Sequence, residues 1–168
     1  MRCVIDVSIR TLFQAKTRKT PVNHDGKVII TKSFFPRGMK LSSITDKVSK
    51  KGLPSGLERA CLCAKIGAEN KGKNILVLNM KGISQLYDYF VIITGASRRQ
   101  IHNIAEEIDS AMKNLGDKRI GIEGYEASKW VVQDYGDVMV HVFDNNARDF
   151  YGLEELWADA PKIDWEKN

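Results

Sequence analysis

Tyr89-Phe-Val-Ile-Ile-Thr-Gly-Ala-Ser-Arg-Arg-Gln-Ile-His-Asn-Ile-Ala-Glu-Glu-Ile-Asp-Ser-Ala-Met-Lys-Asn-Leu115 changes hydrophobic period in mid-course. Residues 89–94 are apolar, aromatic and β-branched, which predicts a strand. Gly95-Ala96-Ser97 then turns the chain. Ser97 is a natural N-cap, and Gln100 three residues later matches a capping box. Beyond it Ile101, Ile104, Ala105, Ile108, Met112 and Leu115 recur at helical spacing. Arg99, Asn103, Glu106, Asp109, Ser110 and Lys113 fall on the opposite face. Gly116 stops the helix. The segment is a strand followed by an amphipathic helix that buries one side.

Working outward, the same period appears upstream. Pro54-Ser55 is a helix entry, and Leu57, Cys61, Ala64 and Ala68 make a stripe that ends near Asn70–Gly72, with Gly72 as the stop. Asn74–Met80 is a compact apolar strand, joined to residue 89 by a turn-like connection. Downstream, Arg119–Glu123 reads as a strand broken by Gly124. Lys129–Tyr135 and Asp137–Phe143 read as an antiparallel hairpin around Gly136. Val138, Val140 and Val142 line one face of the second strand; Met139, His141 and Phe143 line the other. Asp149–Trp157 is a short helix or turn bearing Phe150, Leu153, Leu156 and Trp157. The order α-β-β-α-β-β-β-α is satisfied by a single mixed sheet flanked by helices, an α/β fold. Residues 53–160 are the domain, and 161–168 are a polar tail apart from Ile163 and Trp165.

The net charge of +5 is the sum of two unlike parts. Residues 1–52 carry 12 Lys/Arg and 3 Asp/Glu, a net of +9; residues 53–168 carry 14 and 18, a net of −4. The basic pI therefore belongs to the N-terminal extension, and nucleic-acid binding by the domain does not follow from it. The extension has no sustained period beyond a strand-like run at Val28–Ile30. We read it as a disordered basic tail, or as sequence upstream of a start at Met39, in preference to an organelle transit peptide. No run approaches the roughly 18 apolar residues of a membrane span. Cys61 and Cys63 lie two apart on a helix and cannot readily share a metal, so they are expected as small buried hydrophobes.

Motifs for catalysis are not found. There is no P-loop, dinucleotide fingerprint, zincin helix or nucleophile elbow. His24, His102 and His141 are far apart in sequence and lack paired Cys ligands, so no metal and no cofactor is expected. The turn at Ser97-Arg98-Arg99 resembles an anion site in outline. The simpler account is that Ser97 caps the helix, with Arg98 left open to an acidic partner. Asp134 and Asp137 flank a tight turn, where carboxylates usually serve the backbone. Trp130 and Tyr135 fall at opposite parity on one strand, so one of them leaves that strand's core face. Whichever does is a candidate interface anchor, unless helices cover both faces.

Taken together, Gly82-Ile-Ser-Gln-Leu-Tyr-Asp88-Tyr-Phe-Val-Ile-Ile-Thr94-Gly-Ala-Ser97, Glu123-Gly124, Trp130-Val-Val-Gln-Asp134-Tyr-Gly136-Asp137-Val-Met-Val-His141-Val-Phe143 and Arg148-Asp-Phe-Tyr151-Gly-Leu-Glu154-Glu-Leu-Trp157 resemble the Iojap family over about residues 55–160. Four motifs in the right order make the resemblance specific. It implies a nucleotidyltransferase-like fold with helices on one side of the sheet. It also implies ribosomal silencing in the cytoplasm: binding to the fourteenth-numbered protein of the large ribosomal subunit and steric blocking of subunit joining. Organellar relatives imply a ribosome-assembly role as the alternative.

The contact surface implied is Trp130 with Asp134 and Asp137, helped by Glu123 and Tyr151, and the carboxylates suit a basic ribosomal protein. Tyr135 joins them on the parity argument, and Ser97 and Arg98 stand as an anion or acidic-partner contact. A homodimer is left open, and weak ribosomal RNA contact is assigned to the basic extension. A nucleotidyltransferase would need an Asp-x-Asp pair after the Gly-Ser turn to hold its metals. Arg98-Arg99-Gln100-Ile101-His102 stands there instead, so the expectation is binding without catalysis. Gln100 departs from the family, where many members carry His; its capping role survives the change.

Overall fold

Alternation and helical period place the core on both sides of one sheet. A computed structural model describes residues 52–167. The readings placed on residues 1–51 lie outside the described residues. Among those described, the elements are α1 (Gly56–Glu69), β1 (Lys73–Asn79), β2 (Tyr89–Thr94), α2 (Arg98–Asn114), β3 (Gly121–Glu123), β4 (Trp130–Asp134), β5 (Val138–Phe143), α3 (Asn145–Tyr151), α4 (Leu153–Leu156) and β6 (Lys162–Ile163). The sheet runs β3-β4-β5-β2-β1-β6. β2 lies parallel to β5, and the other strand neighbours are antiparallel. The expected hairpin is present, with Trp130 opposite Phe143 and Asp134 opposite Met139. β2 and β5 are buried along their whole length.

One face of the sheet offers Val77, Val91, Ile93, Val131, Val138, Val140 and Val142 to Ala60, Cys63 and Ala64 of α1 and to Ile101, Ile104, Ala105 and Ile108 of α2. Both helices start as their sequences dictate. Ser55 closes a full capping box with Glu58 on α1. Ser97 accepts from the Gln100 amide, but the Gln100 side chain accepts from Ala96 one residue early. Its amide group then reaches away, donating to the carbonyls of Asn70 and Lys71 at 2.8 Å each. The box is thus traded in part for a link between the end of α1 and the start of α2.

The end of α1 differs from expectation. The residue in the left-handed region is Lys71 (φ +61°), not Gly72. Lys71 N–H donates to Ala68 and Gly72 N–H to Gly67, a Schellman arrangement with Gly72 one place later than predicted. Gly72 is needed there for closeness: a Cβ would sit 2.7 Å from the Gly67 carbonyl. The buried stripe of α1 is also rotated. It includes Ala60, Cys63, Ala64 and Gly67, while Ala68 is exposed. Gly67 has no side chain to register in a hydrophobic pattern, yet it lets α1 approach Ile93, whose Cδ1 would lie 2.7 Å from an added Cβ. Cys61 and Cys63 are buried and free, and burial pushes the Cys63 thiol up to about 12.

The second face is covered as well. Phe90, Met139, His141 and Phe143 are buried there, with Phe90 edge-on to Trp157 at 6.1 Å and Phe143 6.5 Å from Tyr151 of α3. Gly152 (φ +52°) splits the expected last helix in two. Residues 161–168, expected as a polar tail, contribute edge strand β6 beside β1. Ile163 and Trp165 pack against the core.

Gly124 (φ +73°) ends β3 where a Cβ would lie 2.0 Å from the Trp130 carbonyl oxygen. Gly124→Ala is therefore expected to cost about 2–3 kcal/mol, the sum of a disfavoured backbone and a forced shift of β4. A urea titration that gave an unchanged midpoint would show that this approach relaxes freely.

Candidate partner-binding surface

The residues singled out by sequence do not form one surface. Trp130 is 2% exposed and Tyr135 fully buried. They do point to opposite faces, as parity required, but both faces are covered. Tyr135 joins the helix-side core, where its hydroxyl meets Asp109 at 3.4 Å. Trp130 stacks on Phe143 at 4.9 Å and meets the tilted ring of Tyr151 at 4.6 Å. Its indole N–H donates to His141 Nδ1 at 3.2 Å. Each therefore shapes the domain from within.

The carboxylates are similarly occupied. Asp134 accepts from the Gly136 amide at 2.8 Å, the backbone duty expected of a turn. Asp137 is ion-paired to Arg59 of α1, which also grips Asp117; Arg59 is 3% exposed and Asp117 1%. Sequence offered no sign of this triad, because its members are 58 and 78 residues apart. Trp130 and Asp134 stand at opposite ends of β4, about 13 Å apart at the usual strand rise. Glu123 is exposed on β3. Ser97 caps α2 and Arg98 is exposed. Tyr151 is half-buried over Trp130.

His141 is fully buried, and no described atom partners its Nε2. Burial pushes its imidazole down to about 3 from the ordinary 6.5. The unfolded chain thus binds a proton in a range where the folded chain does not. The stability that His141 contributes is fully present above about pH 6.5 and is lost as pH falls toward 3, by up to about 1.4 kcal/mol per pH unit. Wild-type urea midpoints should therefore drop between pH 6.5 and 5, and His141→Phe should flatten that decline. An equal decline in the variant would assign it to carboxylates instead.

Among the described residues three large apolar side chains are exposed: Ile120, 66% exposed just before β3, and two that lie together on the short helices. Phe150 of α3 is 69% exposed and Leu156 of α4 is 57% exposed. Tyr151 sits between them in sequence and packs edge-on against Phe150 at 5.2 Å. Asp149 and Glu155 are exposed on the same unit. The unit is held rigidly: Asp144 caps α3, and buried Arg148 donates to Thr94 Oγ1 at 2.7 Å and to both oxygens of Glu154. The sequence showed these apolar residues in a short helix. It did not show which of them stay exposed.

A mixed sheet flanked by helices, with a small exposed apolar and acidic surface on its short helices, defines the class: an α/β domain with one open six-stranded sheet. The family model described as "Ribosomal silencing factor during starvation" matches residues 54–168, and the chain belongs to that family. It is 43% identical over 98 residues to ribosomal silencing factor RsfS of Halalkalibacterium halodurans, covering 58% of this chain and 84% of that protein. It is 32% identical over 111 residues to the chloroplastic protein Iojap of Zea mays, covering 64% of this chain and 47% of that one. A crystal structure of a Chromobacterium violaceum protein superposes with a TM-score of 0.61 at 33% identity, over 62% of this chain and 88% of that one. The expected family and mixed-sheet fold are thus found. Among the described residues, no helix is long and apolar enough to cross a membrane, and no group of His, Cys, Asp and Glu is arranged to hold a metal ion.

Proposed function

We propose that this chain docks on the fourteenth-numbered protein of the large ribosomal subunit through α3 and α4, and so blocks joining of the small subunit without catalysis. The observation that carries this is the exposure of Phe150 and Leu156 on a rigid unit edged by Asp149 and Glu155. Apolar anchors supply most of the energy of such contacts. The acidic rim and the domain charge of −4 favour a basic partner, chiefly by steering association. Glu123 and Asp134, on β3 and at the far end of β4, lie outside this surface. Trp130 and Tyr135 act by holding the surface in shape.

Co-sedimentation of the full chain with purified large and small subunits, separately and mixed, tests the proposal. Binding to the large subunit alone, with loss of joined ribosomes in the mixture, supports occlusion. Binding without any effect on joining would replace occlusion with an assembly role, and no binding would remove both.

A further inference from the structure

The domain is acidic overall, yet four of its cations converge at one corner. Lys71 follows α1, Lys73 opens β1, and Arg98 and Arg99 open α2; all four are exposed. None forms an ion pair with another described residue. Their convergence is built by other side chains. Gln100 donates to the Asn70 and Lys71 carbonyls, and Asn103 donates to the Asn70 side chain. The end of α1 is thereby fastened to the start of α2. Lys73 pairs with Thr94, just ahead of the turn into α2, and a bulge follows it in β1.

Local energetics oppose this arrangement. Lys71 occupies a left-handed position (φ +61°) that glycine would fill more easily. Arg98 and Arg99 lie at the positive end of α2, whose first turn has no acidic residue. Alongside is an open depression of about 490 Å³ lined by Arg98, Arg99, His102, Asn103 and Glu106. Its one carboxylate, Glu106, accepts from the Tyr125 hydroxyl. A negatively charged ligand would offset the mutual repulsion of these cations and the unfavourable placement of Arg98 and Arg99 at the helix start.

We propose that the corner formed by Lys71, Lys73, Arg98 and Arg99 is a docking surface for the phosphodiester backbone of RNA. Its openness suits a chain of phosphates, and the planar guanidinium groups can bind phosphate oxygens in pairs. The choice of RNA over other polyanions rests on the ribosomal setting of the family. This corner shares no residue with the α3–α4 surface, although Arg148 of α3 reaches its edge at Thr94.

The test compares the full wild-type chain with the full chain bearing Lys71→Gly, Lys73→Ala, Arg98→Ala and Arg99→Ala. Binding to a labelled RNA hairpin is titrated between about 50 and 200 mM salt. The variant should bind at least about 10-fold more weakly, and its log–log salt slope should fall by about 2–3. Any contact made by residues 1–52 is common to both chains and cancels. Lys71→Gly alone should raise the melting temperature while weakening RNA binding about 2-fold, a pair of changes that a merely solvated lysine would not produce. Unchanged affinity and slope in the fourfold variant would overturn the proposal. Equal competition by a nucleoside triphosphate, or by an acidic protein, would overturn the assignment to RNA. A chain carrying Phe150→Glu and Leu156→Glu should keep its RNA affinity, so failure here and failure of the protein-docking reading are told apart.

Discussion

Phe150→Glu with Leu156→Glu should abolish co-sedimentation with the large subunit, weakening binding by about 100-fold or more, while the domain stays folded. Each side chain is more than half exposed, so neither supplies much folding energy. An interface anchor typically contributes about 2 kcal/mol or more, roughly 30-fold each. Glutamate also places charge where the partner expects apolar contact, and it adds to a surface that already carries Asp149 and Glu155. Trp130→Ala is the informative contrast. That ring is 2% exposed, and its loss should cost about 3–5 kcal/mol of stability. Reduced binding by that variant would follow from unfolding rather than from a lost contact. Circular dichroism beside each binding curve separates the two. Full binding by the folded double-glutamate variant would remove α3 and α4 from the interface.

Arg59→Met should produce the largest loss of stability that a single substitution of a charged residue can cause here, about 3–5 kcal/mol. It leaves the Asp117 carboxylate in a site that is 1% exposed, without the guanidinium that now meets it. It also releases Asp137 and removes a 3.1 Å bond to the Pro54 carbonyl at the start of α1. For a domain of this size the melting temperature should fall by roughly 10–25 °C. Asp117→Leu in the same chain should recover most of the loss, because an apolar replacement of a buried pair is often neutral. A variant that melts like wild type would mean that water reaches the triad. Either outcome bears on function, since Asp137 paired to Arg59 is not available in full to a basic partner.

Much of the architecture was legible because it rests on local rules. β2 spans the predicted residues, and α2 agrees within one residue at each end. Both obey short-range constraints: a β-branched run, a serine cap and a helical period. The hairpin around Gly136 was equally local. Errors arose where closeness mattered more than hydrophobicity. Gly67 let α1 rotate its buried stripe, because a missing side chain can be the best fit against Ile93. Lys71 took the left-handed position because Gly72 was required one residue later against the Gly67 carbonyl.

The candidate surface divided in the same way. Residue order, period and motif determined the mixed sheet, its helix-side core and the membership of the Iojap-like family. Sequence also confined Trp130 and Tyr135 to opposite faces by parity alone. Only the tertiary structure decided that both faces are covered, that Asp137 is bound to Arg59, and that Phe150 and Leu156 remain exposed. Exposure is a property of what lies across the sheet, from segments such as α3 and α4 that arrive late in the chain. Parity says which way a side chain points; whether anything meets it there depends on long-range packing.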